Sequence, residues 1–520
     1  MAILGIDFGT TNSVVAAYDR GSYPVVPHSL ETSIGRVNHE VYPSFIHYNY
    51  ESGHLSFGLE AERNYRSNPE GSGLCVRSLK RALGVFCEGL ELDAKVRFQV
   101  KELLVQFLKS LKNSLDSSGF FPKGEIYDCV ISWPAHANGA QRAVTREAFK
   151  LAGFNVIASL NEPTASAIEY ADRVTGGNPR AARRLNDLIA VFDLGGGTFD
   201  ASLLEIESGK FKVLDSIGLE DLGGDDFDMA LCPMFLKKLK VEWETLDHAQ
   251  KQFLKGHARS QKEVIGNQGA KSLLLDPEDL NLKGRPISVR TRDYLKLVQP
   301  LVDRAVDRLA ELLDRSPAVQ ARKKRDLGAI YLVGGSSKLP LVQERIAKRF
   351  PETKVISTHK PFTSVAVGAA IYASQKLDVS DIFSRHFGVY RLLDEGKRDF
   401  FAPIFQAGTR LPSKGEPPLK RTLRYTPQHN FGHLKFLECT EVDQAGLPKG
   451  SIRKWSDVLF PYDPSVGMES TVDPDQIIVD ADLSNTVVEE DYTCDHDGVI
   501  TVVVNRKADG QARKFELYMD

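Results

Sequence analysis

The sequence predicts an α/β protein that carries one strand–turn–strand unit twice and ends in an all-β module. Three observations lead there. Up to roughly residue 375, short apolar runs alternate with longer helical patterns, which is the texture of an α/β chain. From about Asp381 the pattern changes to strand signals punctuated by Gly and Pro, with no long amphipathic helix before Asp520. Two segments, Gly5–Ser13 and Val191–Asp200, also resemble each other: each is an apolar strand, an Asp, a Gly-rich turn with Thr, and a second apolar strand.

Taken in order, the strands expected in the first part include Ile3–Phe8, Cys129–Trp133, Leu188–Phe192, Ala201–Ile206 and Ala329–Val333. Each is short, apolar and closed by Gly, Pro or Asp, as buried sheet strands are. Between them, Val96, Val100, Leu103, Leu104, Phe107, Leu108, Leu111 and Leu115 recur at steps of three and four and predict a helix with one core face. Tyr294–Leu313 and Gln343–Phe350 read as helices on the same grounds. In the β module, Leu434–Leu437, Gln476–Val479 and Val499–Val504 are strand signals, the last preceded by the hairpin-type turn Asp497-Gly498.

Composition narrows the class. A chain of 520 residues with 42% hydrophobic and 26% charged residues has material for several cores, which excludes a small disulfide scaffold and a disordered protein. The formal charge of −3 supplies no global field for nucleic acid or an anionic membrane, so neither is expected as a partner. The basic runs Arg180–Arg184 and Arg322–Arg325 lack interleaved aromatics and read as solvated surface. Six scattered cysteines spell neither a zinc site nor a disulfide framework, and Met1 leads directly into Ala2–Ile6 without a signal-peptide pattern. No apolar run reaches the ~20 residues that cross a bilayer. A reducing cytoplasm is the expected compartment.

The repeated hairpins carry the chemistry. Glycines let a turn present its backbone N–H groups to an anion, and threonine hydroxyls add donors a phosphate can use. An Asp just before such a turn is placed to hold Mg²⁺ directly or through its waters. One such turn is often no more than a local Asp-Gly structure. Two, with Asp7 and Asp193 lying 186 positions apart, suggest halves that clasp a nucleotide from opposite sides. Neither hairpin fits the G-x-x-x-x-G-K-[ST] or G-x-G-x-x-G patterns. A third glycine turn, Val333–Lys338, joins a strand to a helix expected near Leu341. It reads either as a phosphate or ribose seat or as a tight connection.

These residues carry a resemblance. Gly5–Ser13, Asn161–Thr164, Phe192–Asp200, Leu222–Asp228 and Val333–Lys338 together resemble, in family order, the ATPase domain of the heat-shock protein 70 (DnaK) chaperone family. The resemblance implies an actin-like, duplicated, ribonuclease-H-like domain of two lobes over residues 1–377, with ATP and Mg²⁺ in the cleft and K⁺ a further candidate cation. It implies that Asp7 and Asp193 take the metal, and that Gly9, Thr10, Thr11, Asn12 and Gly195, Gly196, Gly197 and Thr198 contact phosphates. Lys262, Gly334, Gly335, Ser336 and Lys338 fall on the nucleoside side. Ser78–Gly84 is similar to the segment around the family's catalytic lysine, which puts Lys80 near the γ-phosphate, while Glu162, Asp193 and Thr198 would orient water. The segments Trp133–Ala135 and Gln141-Arg142 match where the family has a proline and an arginine that relay nucleotide state.

The β end, with Ile404–Lys414 and Tyr492–Leu517 as its recognisable pieces, resembles the family's peptide-binding β-sandwich, here over 391–520 after a linker and first strand at 378–390. The implied partners are unfolded or extended polypeptides, a J-domain co-chaperone and a nucleotide-exchange factor.

Several positions depart from the family pattern. The arginine after the Gly-Gly turn is Lys338, which cannot stack flat on a base as a guanidinium can. The ribose-binding acid is Arg259, a serine is Gly266, and an acid is Phe362. The linker Asp378–Arg385 is shorter and less apolar than the family's, the J-domain arginine position holds Ala158, and no helical lid follows the β module. The sequence thus predicts a divergent, lidless chaperone that hydrolyses ATP, slowly, to gate binding of exposed segments. Its rivals are a nucleotide-gated scaffold with little hydrolysis and one dedicated partner, and an actin-like small-molecule kinase.

Overall fold

The computed structural model describes residues 2–32, 35–67, 73–77, 79–82, 90–93, 96–135, 137, 139–182, 184–321, 327–358, 360–375, 377–393, 398–413, 415–465, 483, 486–496 and 498–517. The expected strand Gln476–Val479, the basic run Arg322–Arg325, and Ser78, Leu83, Gly84, Cys87, Lys414 and Asp497 lie outside them. The chain divides into two compact units, one of residues 1–85, 89–135 and 148–377, the other of residues 86–88, 136–147 and 378–520.

The first unit holds two sheets of matching topology. In one, Ala2–Phe8 and Asn12–Ala17 form an antiparallel hairpin in which Asp7 faces Val14. Tyr127–Trp133 and then Asn155–Asn161 run parallel beside Ala2–Phe8, and the short strand Tyr42–Pro43 closes the other edge. In the other, Asn186–Leu194 and Phe199–Glu207 form the hairpin, with Asp193 opposite Asp200. Ala329–Val333 and then Val355–Ser357 run parallel on one side, and Lys210–Leu219 is antiparallel on the other. Burial on both faces explains the unbroken apolar runs: Val130, Ile131, Ile189, Ala190, Ile330 and Leu332 are all fully buried.

Helices cover these sheets through their apolar stripes. Thr291–Arg315 buries Tyr294, Val298, Val302, Ala305, Leu309 and Leu312, at the three- and four-residue spacing the sequence displays, in a core shared with Phe192, Phe199, Phe227 and Phe235. Ser364–Gln375 lies so close to the first sheet that a Cβ on Gly5 would come within 2.1 Å of the Ala366 carbonyl oxygen, so that strand position admits only glycine. The helix expected from Val96 begins at Val100 instead. Val96–Phe98 is a strand, and Gln99, with φ −73° and ψ 128°, is extended, so the first residue of the stripe belongs to the preceding element. Pro340–Arg349 starts three residues before the expected Gln343, because a proline at the first helical position has no N–H to lose. Arg180 and Arg184 are exposed, as a solvated run would be.

The second unit contains two four-stranded antiparallel sheets. One is ordered Arg398–Phe405, His386–Leu393, Phe431–Val442, Pro448–Pro461, the other Leu419–Tyr425, Val488–Cys494, Ile500–Arg506, Gln511–Glu516. Phe387, Phe436 and Trp455 from the first pack with Val488, Tyr492 and Val502 from the second in one core, which makes the unit a β-sandwich. Buried within it, the Glu490 carboxylate accepts from Arg391, at 2.5 Å, and from the hydroxyls of Tyr425 and Tyr492 at 2.5 and 2.6 Å. A fully buried carboxylate is tolerated because its lone pairs are taken up in this way.

Candidate functional site

Both hairpin turns of the first unit open onto a cleft of about 330 Å³. Of the residues assigned to the site from sequence, Asp7, Gly9–Asn12, Lys80, Glu162, Asp193, Gly195, Gly196, Thr198, Lys262, Gly334–Ser336 and Lys338 all line it. Gly197 does not line it. It is buried under Gly223, whose Cβ, were there one, would sit 2.5 Å from the Gly197 carbonyl carbon.

The two turns meet closely. A Cβ on Gly196 would fall 2.0 Å from the Thr11 hydroxyl, and that buried hydroxyl has no hydrogen-bond partner. A buried polar atom facing a cleft without a partner is the kind of group a ligand satisfies. Behind the second turn, Gly195 N–H donates to Thr198 O at 3.0 Å, while the first amides of the Gly224–Leu239 helix donate to Gly195 O and Gly196 O at 3.0 and 2.7 Å. The Ser336 hydroxyl also donates to Gly195 O, at 2.8 Å, so the third glycine turn braces the second.

Acidic side chains crowd this end. Asp7 ends the first strand and accepts from the Ser132 hydroxyl at 3.1 Å; Asp193 and Asp200 face each other across the second hairpin; Glu162 opens the Glu162–Val174 helix. The Lys80 ammonium joins them, donating to Glu162 Oε1 and to Phe8 O, both at 2.6 Å. One lysine does not balance four carboxylates. Burial, and then the Glu162 charge, push the Asp7 and Asp200 carboxyls up to about 7, and the same causes, with Asp200 and Asp7 adding, hold Asp193 well above the usual carboxylate range.

This donor set fits a hydrated divalent cation. Its charge would relieve the carboxylates' mutual repulsion. Mg²⁺ keeps several waters and takes only one or two carboxylates, a demand that the carboxylates at the two strand ends can meet.

The opposite end of the cleft is built from the His248–Gln268 helix, the third glycine turn and the Pro361–Val365 segment. Lys262 is spent within the protein: its ammonium lies 2.7 Å from Asp228 Oδ1 and donates to Gly224 O at 2.7 Å. Arg259 pairs with Asp225 at 2.7 Å and Asp228 at 3.4 Å. Lys338 donates to Asn267 Oδ1 at 3.0 Å and lies over the Phe362 ring, 5.4 Å from its centroid. Sequence reasoning assigned no role to Asp200, Asp225, Glu263 or Asn267, which also line the cleft. Asp200 had a signal, since it sits opposite Asp193 in a hairpin; the others belong to helices whose facing direction no local motif records.

Comparison with known proteins follows this geometry. A family model described as Hsp70 protein matches residues 3–383. The chain is 31% identical over 434 residues to a protein named chaperone protein DnaK from Thermotoga petrophila, covering 79% of this chain and 66% of that protein. It is 34% identical over 393 residues to a chaperone protein HscA homolog from Burkholderia lata, covering 71% and 58%, and 31% identical over 423 residues to a DnaK of Metamycoplasma hominis, covering 79% and 65%. The chain thus spans between 58% and 66% of the length of these relatives. Among the described residues no helix is long and apolar enough to cross a membrane.

Proposed function

Because the chain belongs to the Hsp70 family, we propose that it is an ATP-dependent chaperone, hydrolysing ATP to ADP and phosphate to gate the binding of unfolded polypeptide segments in the cytoplasm. On this reading residues 1–377 are an actin-like, duplicated nucleotide-binding domain, 378–390 the linker and first strand, and 391–520 a peptide-binding β-sandwich. The observation that carries it is the convergence of the two Asp–Gly–Thr turns, Lys80 and Glu162 on one cleft. The matched hairpin sheets support the duplication.

The residues divide the work. Backbone N–H groups of Gly9–Asn12, Gly196 and Thr198, with the unpartnered Thr11 hydroxyl, hold phosphate oxygens. Asp7 and Asp193 hold Mg²⁺, which when bound offsets the phosphate charge. Lys80, kept at 2.6 Å from Glu162, turns its remaining donor capacity on the γ-phosphate. As a water oxygen adds to the γ-phosphorus and the bond to the bridging oxygen breaks, the water must give up a proton. Asp200, which lies opposite Asp193 in the hairpin and whose carboxylate the Thr198 side chain hydrogen-bonds, is placed to accept it. ADP leaves with the bridging oxygen.

The test is the release rate of a labelled unfolded polypeptide from the purified protein with ATP, with ADP and without nucleotide. Markedly faster release with ATP is expected. Equal rates in all three states would remove the gating and leave a scaffold.

A further inference from the structure

The two hairpin turns share a device that neither glycine run reveals. Gly9 and Gly195 each stand two residues after an acidic residue, Asp7 and Asp193. In both, the carbonyl oxygen is taken by a serine hydroxyl brought in from another element: Ser44 donates to Gly9 O at 2.7 Å, and Ser336 to Gly195 O at 2.8 Å. Gly195 O receives the Gly224 N–H as well, at 3.0 Å. Ser336 belongs to the cleft lining, whereas Ser44 is only 4% exposed and is not among the residues that line it.

Strand register puts Ser44 in place. It follows the edge strand Tyr42–Pro43, which pairs with Asn12 and Ser13 of the hairpin. That pairing brings its backbone N–H to Thr11 O, at 2.8 Å, while its hydroxyl reaches Gly9 O. A hydroxyl has one hydrogen, and Ser44 spends it on Gly9 O, so the fully buried Ser13 hydroxyl, 3.2 Å away, is the donor between the two serines. The Ser44 oxygen is thereby held from behind.

The consequence is geometric. In a planar trans peptide the C=O and the following N–H point in opposite directions. A Gly9 carbonyl drawn back to Ser44 therefore turns the Thr10 N–H toward the cleft, which Gly9 and Thr10 both line. Position 9 itself must be glycine, because a Cβ there would fall 2.2 Å from Asn12 O. Glycine also leaves the peptide free to turn over, and a reversed Gly9–Thr10 peptide would present an oxygen, not an N–H, to an anion.

We propose that Ser44 is a positioning residue for nucleotide binding: its hydroxyl fixes the Gly9–Thr10 peptide so that the Thr10 N–H meets a phosphate oxygen, as Ser336 fixes the Gly195–Gly196 peptide on the opposite side. A donor aimed in advance need not reorient when the charged ligand arrives. The role rests on the proposed function in requiring a phosphate between the turns.

Calorimetric titration of the nucleotide-free full chain with adenosine and with MgADP tests it. The parent should bind MgADP more tightly than adenosine. Ser44→Ala should weaken MgADP about tenfold, the scale of one hydrogen bond to a charged group, and leave adenosine within twofold. Ser44→Thr, which keeps the hydroxyl, should bring MgADP back to within threefold of the parent. In the unsubstituted protein, the Thr10 amide proton resonance should move downfield with MgADP and stay in place with adenosine. A Ser44→Ala variant that loses both ligands by one factor or neither at all, a threonine variant no better than alanine, or a Thr10 resonance that ignores MgADP each overturns the role of Ser44 and leaves the proposed function standing. A parent that binds MgADP no more tightly than adenosine overturns both.

Discussion

The phosphate end and the nucleoside end of the cleft are built by different means. The end proposed for phosphate is lined by the turns at residues 9–12 and 195–198, with Asp7 and Asp193 fixed in strands immediately before them. The nucleoside end is lined by side chains on a helix, a glycine turn and the Pro361–Val365 segment, and these are already paired with one another before any ligand arrives. A backbone cradle accepts any polyphosphate and tolerates little change in its glycines. A side-chain wall can be rebuilt residue by residue, and Arg259, Gly266, Lys338 and Phe362, which depart from the family pattern, all line this end.

The largest effect expected from this contrast lies at Lys80. Lys80→Ala removes the one ammonium among four carboxylates and should cut single-turnover hydrolysis of bound ATP about 100-fold, the scale on which one charge-stabilising donor acts. Affinity for ADP should stay within threefold. Hydrolysis that survives the substitution would show that Lys80 is only the partner of Glu162, and would break the assignment of chemistry to this end.

Paired glycine substitutions sharpen the contrast. Gly196→Ala places a Cβ 2.0 Å from the Thr11 hydroxyl, so one turn must shift, and ADP binding should weaken about tenfold, equivalent to a modest overpacking cost. Gly266→Ala meets only Lys338, at 3.1 Å from its O and 3.2 Å from its Cβ, a contact a few tenths of an ångström of movement would relieve. It should change ADP affinity about threefold or less. Equal losses in the two variants would mean that the nucleoside end is as rigid as the turns.

The same difference governs what could be read from sequence. Asp7, Thr11, Asp193 and Thr198 lie in two short runs whose strand–turn–strand pattern is local, so their convergence on one cleft was legible once the repeat was noticed. Gly197 was over-assigned because a glycine run does not reveal which member faces the ligand and which packs beneath Gly223. Arg259 and Phe362 stood out only as departures from a family pattern. Glu263 and Asn267 were missed because a helix presents many polar residues, and which of them faces a cleft depends on how the His248–Gln268 helix sits against Gly334–Lys338. In the fold, buried apolar strands were found readily and helix ends less so. Val96 continues the apolar periodicity of the next helix while belonging to a strand, and only the extended backbone at Gln99 separates the two.

The smallest expected effect on ligand binding is none, and it comes from a buried titratable group in neither end. His28 is fully buried, its Nδ1 lies 3.0 Å from the Ser114 hydroxyl, its ring packs 5.1 Å from that of Tyr42, and its Nε2 has no partner. Burial, and then the charge of His39, lower its proton affinity to about 4. The folded protein therefore holds it neutral where the unfolded chain, titrating near 6.5, takes up a proton. Its contribution to stability is present above pH 6.5 and is lost as the pH falls toward 4. His28→Phe keeps an aromatic ring in place and removes that loss. Between pH 7.5 and 4.5 the unfolding free energy of the parent should fall relative to the variant by about 2 kcal/mol in urea titrations. The difference between the two proteins isolates His28, because the Asp7 and Asp200 carboxyls, which favour the folded state at low pH, are common to both. At pH 7.5 ADP should bind parent and variant alike. A change in that affinity would mean that a perturbation outside the cleft reaches it, and the unequal responses of Gly196→Ala and Gly266→Ala would then report global stability instead of two separately built ends.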